Sequence, residues 1–134
     1  MGNVKTYSDT ACTVECGRFI AGQTIYINGD VCYKNAEPSG TAPYGGIYTQ
    51  AGVLKSSFGY GHYSYPANTV RSIKTIYSNV APSFDSTGWT DGYYYIQVNY
   101  ADSLGNILAI DRETFEIYTP DVPINSFRFD GDDF

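Results

Sequence analysis

The feature that most constrains the fold is a pair of strand-like segments, residues 93–101 and 107–110, joined by five turn-forming residues, 102–106. Side chains two residues apart lie on the same face of a strand, so alternation identifies the buried side. The alternating large apolar positions of the first segment are Tyr94, Ile96, Val98 and Tyr100. This pattern predicts a β-hairpin whose first strand turns these four residues toward the core and leaves Tyr93 and Tyr95 on the other face.

Short strand-like runs bounded by turn-forming residues recur along the rest of the chain, at 4–7, 19–20, 24–27, 31–33, 47–54, 58–65 and 114–118. In the last of these, Phe115 and Ile117 are expected to point inward. Asn28-Gly29 is a hairpin signal because both residues tolerate positive φ, so 31–33 is predicted to return beside 24–27. Residues 35–46 and 82–92 are predicted to be loops.

Residues 67–80 fit two interpretations. The apolar residues Val70, Ile73, Ile76, Tyr77 and Val80 follow helical spacing, and Asn68 is a candidate N-cap. The abundance of Val, Ile and Thr favours a strand, because β-branched side chains pack well on a pleated surface. A crossing strand is the preferred interpretation, and a short helix is the alternative.

These patterns predict one all-β domain over residues 1–120, whose short strands form a sandwich or a small barrel. The composition agrees with an all-β domain, because 14 tyrosines among 134 residues suit strands that have one solvent-exposed face. Residues 121–134 form a separate acidic tail that carries phenylalanines.

The charge balance bears on partners. Eight basic and 14 acidic residues give a net charge of −6, and the basic residues form no cluster. An acidic surface repels the phosphate backbone, so nucleic acid is not an expected partner. No apolar run approaches the length of a membrane span, so membrane insertion is not expected either.

Three cysteines, Cys12, Cys16 and Cys32, lie in the first quarter of the chain. Their spacing matches no strong zinc signature, and His62 is the only histidine. One disulfide with a spare thiol is the preferred interpretation, pairing Cys12 with Cys32 or, alternatively, Cys16 with Cys32. Such a bond implies an oxidising compartment. A bridge between subunits is the further alternative.

Acidic residues offer a candidate calcium site in the tail. Asp130, Asp132 and Asp133 surround Gly131 and would supply hard oxygen ligands. Loop aspartates are a second set if the fold brings them together: Asp9, Asp91, Asp102 and Asp111. The preferred interpretation is a solvated tail and ordinary turn aspartates, with calcium binding as the alternative. No other cofactor is predicted.

Exposed aromatic residues are the candidate binding site. Tyr93 and Tyr95 are predicted to share one face, with Tyr60 or Tyr65 nearby and Trp89 in the preceding loop. Such rings stack on sugars or form hot spots for another protein. The alternative is that they pack within the second sheet or under a loop.

Several stretches resemble immunoglobulin-like modules of bacterial and archaeal secreted or surface proteins. They are Tyr7-Ser8-Asp9, Cys12, Phe19, 22–27, 88–96, 102–106 and 115–118. The resemblance covers the first quarter and the last third of the chain, and residues 35–87 do not contribute to it. It implies an immunoglobulin-like two-sheet sandwich of about seven to nine mostly antiparallel strands. It also implies a cell-surface or extracellular structural module, such as a fibre or adhesin subunit. The third cysteine and the tail depart from the usual pattern.

The function predicted from the sequence is therefore a non-enzymatic structural or assembly module. Neither His62 nor the glutamates fall into a recognisable catalytic pattern. Assembly would use the tail, where residues 122–129 add as a strand to a neighbour's sheet, and its phenylalanines are Phe127, Phe129 and Phe134. The alternative is a carbohydrate- or protein-binding module that uses the exposed tyrosines. Expected partners are copies of the chain, neighbouring domains or glycans.

Overall fold

A computed structural model of the protein describes residues 2–59 and 61–120. These ranges hold eleven strands and one short helix, so the prediction of an all-β fold is confirmed and the count of seven to nine strands was too low. The strands are β1 (Gly2–Tyr7), β2 (Arg18–Ile20), β3 (Thr24–Val31), β4 (Glu37–Thr41), β5 (Tyr44–Thr49), β6 (Leu54–Phe58), β7 (His62–Tyr65), β8 (Arg71–Ser72), β9 (Ser83–Asp85), β10 (Gly92–Ala101) and β11 (Ile107–Tyr118). The helix is α1 (Ile73–Ile76).

The strands form three sheets. The largest has the order β2-β11-β10-β5-β6, in which β2 runs parallel to β11 and the other neighbours are antiparallel. In the second sheet, β3 pairs with β1 along one edge and with β8 and β9 along the other. The third sheet is the antiparallel pair β4-β7.

The predicted hairpin is confirmed as β10-β11, the longest pairing in the five-stranded sheet. Tyr94, Ile96, Val98 and Tyr100 are each at most 3% exposed, as the alternation predicts. Phe115 and Ile117 are also buried. The two strands predicted after the turn are a single strand, β11, which pairs with β10 along most of its length.

One hydrophobic core is shared by the two larger sheets. The four-stranded sheet contributes Val4, Ile25, Ile27 and Phe84, and the five-stranded sheet contributes Phe19, Ile47, Ile96, Val98, Phe115 and Ile117. The rings of Phe19 and Phe115 meet edge to face, with centroids 5.7 Å apart. Each such side chain stabilises the fold by about 1.5–3 kcal/mol when fully buried.

The Asn28-Gly29 hairpin prediction was wrong. Both residues lie inside β3, and Gly29 is not among the residues with positive φ. The side-chain oxygen of Asn28 instead accepts a hydrogen bond from the backbone N–H of Lys74, at 3.0 Å. Because β3 has partner strands on both edges, its continuation is stabilised by tertiary pairing that the local turn signal does not report.

The middle of the chain holds more strands than predicted. Residues 35–46 contain β4 and the start of β5, and 82–92 contain β9, so neither is simply a loop. A turn at 50–51 interrupts the first of the two long strand candidates of this region, and the second candidate includes only the end of β6 and the whole of β7. In 67–80 a two-residue strand precedes the helix, and its N-cap is Ser72, not Asn68. The Ser72 hydroxyl accepts a hydrogen bond from the backbone N–H of Thr75 at 3.0 Å.

Gly45 lets β5 approach β10 closely. A Cβ at this position would lie 1.9 Å from the carbonyl oxygen of Gln97. We predict that Gly45→Ala lowers the free energy of unfolding by at least about 2 kcal/mol, because the backbone of β10 must move. Gly17→Ala is the control, since no atom lies within 4 Å of its Cβ. Urea unfolding measures both, and equal stabilities would contradict the close approach.

Buried tyrosines predict a loss of stability in alkali. Burial raises the pKa of Tyr33 from 10.0 to about 12, with help from Glu37 and Asp102, and burial also raises the pKa values of Tyr65 and Tyr100. Their neutral forms are favoured in the folded state, so this contribution is complete below pH 10 and is lost as pH rises from there. We expect the free energy of unfolding to fall by about 1.4 kcal/mol per pH unit per tyrosine between about pH 10 and 12.

Tyr100→Phe is the matched variant for this measurement. The Tyr100 hydroxyl is buried and has no hydrogen-bond partner among the described residues, so its removal should cost little at neutral pH. Urea unfolding at about pH 8, 10 and 11 should give a shallower alkaline slope for the variant than for the natural chain. Identical slopes would contradict the assignment of a raised pKa to Tyr100.

Candidate functional site

The candidate site is the side of the five-stranded sheet that faces away from the core. Its residues alternate with buried ones, as Arg18 and Ile20 do around Phe19. We call the following set the outward sheet face: Arg18 and Ile20 on β2, Tyr48 on β5, Leu54 on β6, Tyr93, Tyr95, Gln97 and Asn99 on β10, and Ile110, Arg112, Thr114, Glu116 and Tyr118 on β11.

A row of stacked side chains crosses three strands at the centre of this face. The rings of Tyr48 and Tyr95 stack with centroids 5.3 Å apart and an interplanar angle of 17°. The guanidinium carbon of Arg112 lies 5.4 Å from the centroid of the Tyr95 ring. The Arg112 Nε donates to Gln97 at 2.8 Å, and the Gln97 amide donates to Asn99 at 3.0 Å. Stacking and hydrogen bonds therefore restrict the rotamers of these side chains before any partner binds.

A second stacked pair lies where β2 joins the sheet. The Arg18 guanidinium carbon is 4.0 Å from the Tyr118 ring centroid, and Arg18 Nε donates to a Glu116 carboxylate oxygen at 2.8 Å. An exposed ion pair contributes little to stability, about 0–1 kcal/mol. Its consequence here is positional, because the Glu116 carboxylate helps to hold the Arg18 guanidinium over the Tyr118 ring.

Large apolar side chains on this face remain in contact with solvent. Tyr93 is 57% exposed, and Leu54 and Ile110 are each 50% exposed. Ile20 is also exposed at the β2 edge. Single exposed apolar residues are ordinary, but several on one side of one sheet are typical of an interaction surface. The structure thus places Tyr93 and Tyr95 on one face, with the exposed ring belonging to Tyr93.

The other aromatic candidates are not part of this face. Trp89 is half-buried and stacks on the buried ring of Tyr94, with centroids 5.4 Å apart. Tyr65 is buried and packs against Tyr33 and Tyr63. Tyr60 lies outside the described residues, so its predicted place beside Tyr93 stays a prediction.

The cysteines are free in the structure, and no disulfide joins Cys12 to Cys32. The Cys12 thiol lies 3.8 Å from the carbonyl oxygen of Ile27 in β3. Cys32 comes five residues after Ile27, directly after the end of that strand. At about 3.3 Å per residue this separates the two cysteines by roughly 16 Å, well beyond disulfide reach. Cys16 donates to the Arg18 carbonyl at 2.8 Å. Burial raises the pKa of the Cys12 thiol, and Lys74 partly offsets that effect.

The four aspartates predicted as a second set accept hydrogen bonds at separate places rather than at a common site. Hydrogen bonds from Thr13 and the backbone of Val14 lower the pKa of Asp9, and Asn106 does the same for Asp102. Asp91 accepts from Thr119, and Asp111 accepts from the backbone N–H of Val4 at 2.9 Å. Within 2–59 and 61–120, no three His, Cys, Asp or Glu residues group closely enough to hold a metal ion. The tail candidates Asp130, Asp132, Asp133, Phe127, Phe129 and Phe134 lie outside these ranges.

His62 and a cavity beside Phe58 lie away from the outward sheet face. His62 is exposed on β7, and its Nδ1 is 3.1 Å from the carbonyl oxygen of Ser39. An open cavity of about 680 Å³ lies between Phe58 and the segment from Tyr77 to Ser83. Three serines line it together with apolar and aromatic side chains, and none of its lining residues is charged. It offers a ligand little chemical specificity.

The sequence reasoning missed Tyr48, Arg18 and Arg112. The turn at 102–106 alone would place Asp111 opposite Gln97, and a one-residue shift in the β10-β11 pairing brings Arg112 there instead. The sequence carried no signal for that shift, and Tyr48 and Arg18 had no local signal either. They reach the face only through pairing of β5 with β10 and of β2 with β11, which are distant in sequence.

Comparison with known proteins adds no family. No family model matches the chain, and a search of curated proteins finds no significant match. Within the described residues, the chain has no helix of the length and apolar character that crossing a bilayer requires.

The cysteine geometry gives a direct prediction. Alkylation of the unfolded chain without reductant should modify all three cysteines, because none is paired in the fold. Intact mass measures the number of added groups, and a reduced sample of the same chain is the control. Modification of only one cysteine before reduction would contradict three free thiols and would support the disulfide predicted from the sequence.

Proposed function

We propose that the fold is an immunoglobulin-like sandwich. The strand order supports this, since β1-β3-β9 and β11-β10-β5-β6 match the two sheets of variable-type domains, which add a strand beside the GFC sheet. The core shared by the two sheets is what facing sheets require. On this assignment β4 and β7 form an added pair beside the sandwich.

A tyrosine corner also supports this fold. Tyr94, near the start of β10, donates from its hydroxyl to the carbonyl oxygen of Thr90 at 2.6 Å. Immunoglobulin-like domains carry such a tyrosine near the start of the equivalent strand, bonded to backbone a few residues upstream. The chain departs from antibody domains in its tryptophan, which precedes β10 rather than lying in β5.

We propose that the domain is a non-enzymatic structural or assembly module of an extracellular or cell-surface protein and binds protein through the outward sheet face. The observation that carries this is the rigid row of Tyr48, Tyr95 and Arg112 beside exposed apolar side chains. Tyrosine and arginine are the residue types enriched in binding hot spots, and side chains held in place lose little entropy on binding.

The stacking geometry favours protein over sugar as the ligand. Tyr95 has Tyr48 against its ring and Arg112 near its centroid, so its faces are largely occupied. The Tyr118 ring is covered by Arg18. A sugar needs an open ring face, which these residues do not offer. The carbohydrate-binding alternative therefore depends on Tyr93, whose ring is 57% exposed.

Sedimentation velocity over a concentration series tests this function. We expect the full chain to associate, and Ile110→Asp to weaken association at least about tenfold by placing a charge among apolar contacts. Val70→Asp is the matched control, because Val70 is 63% exposed but lies away from this face. A chain that stays monomeric, or that binds an array of glycans through Tyr93, would contradict the proposal.

A further inference from the structure

We propose that the partner of the outward sheet face is a second copy of this chain, packed face to face about a two-fold axis near Tyr95. This rests on the proposed function and specifies its partner. In this arrangement Arg112 of each copy meets Glu116 of the other. A two-fold interface of this kind uses the same patch twice, so the patch must complement itself.

The charge distribution favours this face for self-association. The whole chain carries 14 acidic and eight basic residues, so two copies repel each other over most orientations. The outward sheet face defined above differs, because its charged residues are two arginines, Arg18 and Arg112, and one glutamate, Glu116. Contact through this face keeps the acidic surfaces of the two copies apart.

The size of the face matches what a stable dimer needs. Five strands spaced about 4.8 Å apart span roughly 19 Å, and eight residues of β11 at about 3.4 Å each span roughly 27 Å. The projected area is about 500 Å² per copy, and protruding side chains make the accessible area larger. Two such faces bury more than about 1,000 Å² together, which is enough for a specific interface.

The pattern along β11 is symmetric about Thr114. Arg112 and Glu116 lie two residues to either side of it, and Ile110 and Tyr118 lie four residues to either side. Thr114 pairs with Tyr95 on β10, and Tyr93 and Gln97 flank Tyr95 in the same way.

A two-fold axis that lies between the two facing copies and crosses their strands at Tyr95 and Thr114 places Arg112 of each copy opposite Glu116 of the other. Two pairs of opposite charges therefore meet in the dimer. The same axis brings Ile110 onto Tyr118 and Tyr93 onto Gln97. Arg112 has no ion-pair partner within its own chain among the described residues, since its guanidinium contacts Gln97 and Tyr95. Its charge is thus available to a carboxylate of the second copy.

Charge reversal tests this arrangement. Arg112→Glu and Glu116→Arg each place like charges together twice in the dimer, so each should raise the dimer Kd at least about tenfold. The double variant Arg112→Glu/Glu116→Arg restores opposite charges and should bring Kd back to within about fivefold of the natural chain. Lys34→Glu makes the same change in net charge as Arg112→Glu, but at an exposed site outside the face, and should leave Kd unchanged.

Sedimentation equilibrium gives the dimer Kd, and thermal unfolding shows that each variant is folded. If the natural chain dimerises and both single reversals leave its dimer Kd within twofold, the inference is overturned but the proposed function remains intact. Single reversals that weaken association without recovery in the double variant overturn the pairing of Arg112 with Glu116. A natural chain that is monomeric up to about 0.5 mM overturns both the inference and the proposed function.

Discussion

The outward sheet face depends on the register of the β10-β11 hairpin, and the Asp102 carboxylate helps to fix that register. One of its oxygens accepts the backbone N–H groups of Leu104 and Asn106, both at 2.9 Å. Gly105 completes the turn at φ +84°. Beyond the turn, a one-residue shift in the β10-β11 pairing brings Arg112 to the outward face. Because side chains in a strand alternate between faces, a further slip of β11 by one residue would turn Arg112 into the core. The turn and this shift together determine which residues a partner can reach.

The stacked row shows how separate segments build this surface. Tyr48, Tyr95 and Arg112 come from three adjacent strands, and Gly45 allows the first two of those strands to approach. Side chains on one face of neighbouring strands stabilise a sheet through cross-strand contacts. The same contacts that stabilise the sheet also hold aromatic rings and a guanidinium in a fixed arrangement toward solvent, so stability and binding geometry have a common origin.

Sequence reasoning succeeded where structure is local. The alternation in 93–101 and the following turn predicted the longest hairpin and its buried residues, and the strand candidates at 4–7 and 24–27 also correspond to strands. It failed where tertiary pairing decides the outcome. Asn28-Gly29 has the local chemistry of a turn, but strands on both edges of β3 extend it through that position. Short strands such as β4 and β9 exist only through their partners, so composition alone marked them as loops.

A dilution series followed by two-dimensional NMR of the full chain tests the central claim, that the outward sheet face is the interaction surface. The account predicts that shifts which change with concentration map to Tyr93, Tyr95, Ile110 and their neighbours, while residues of β3 and β9 are unaffected. Changes that map instead to the cavity beside Phe58, or spectra that do not change over the whole series, would contradict it.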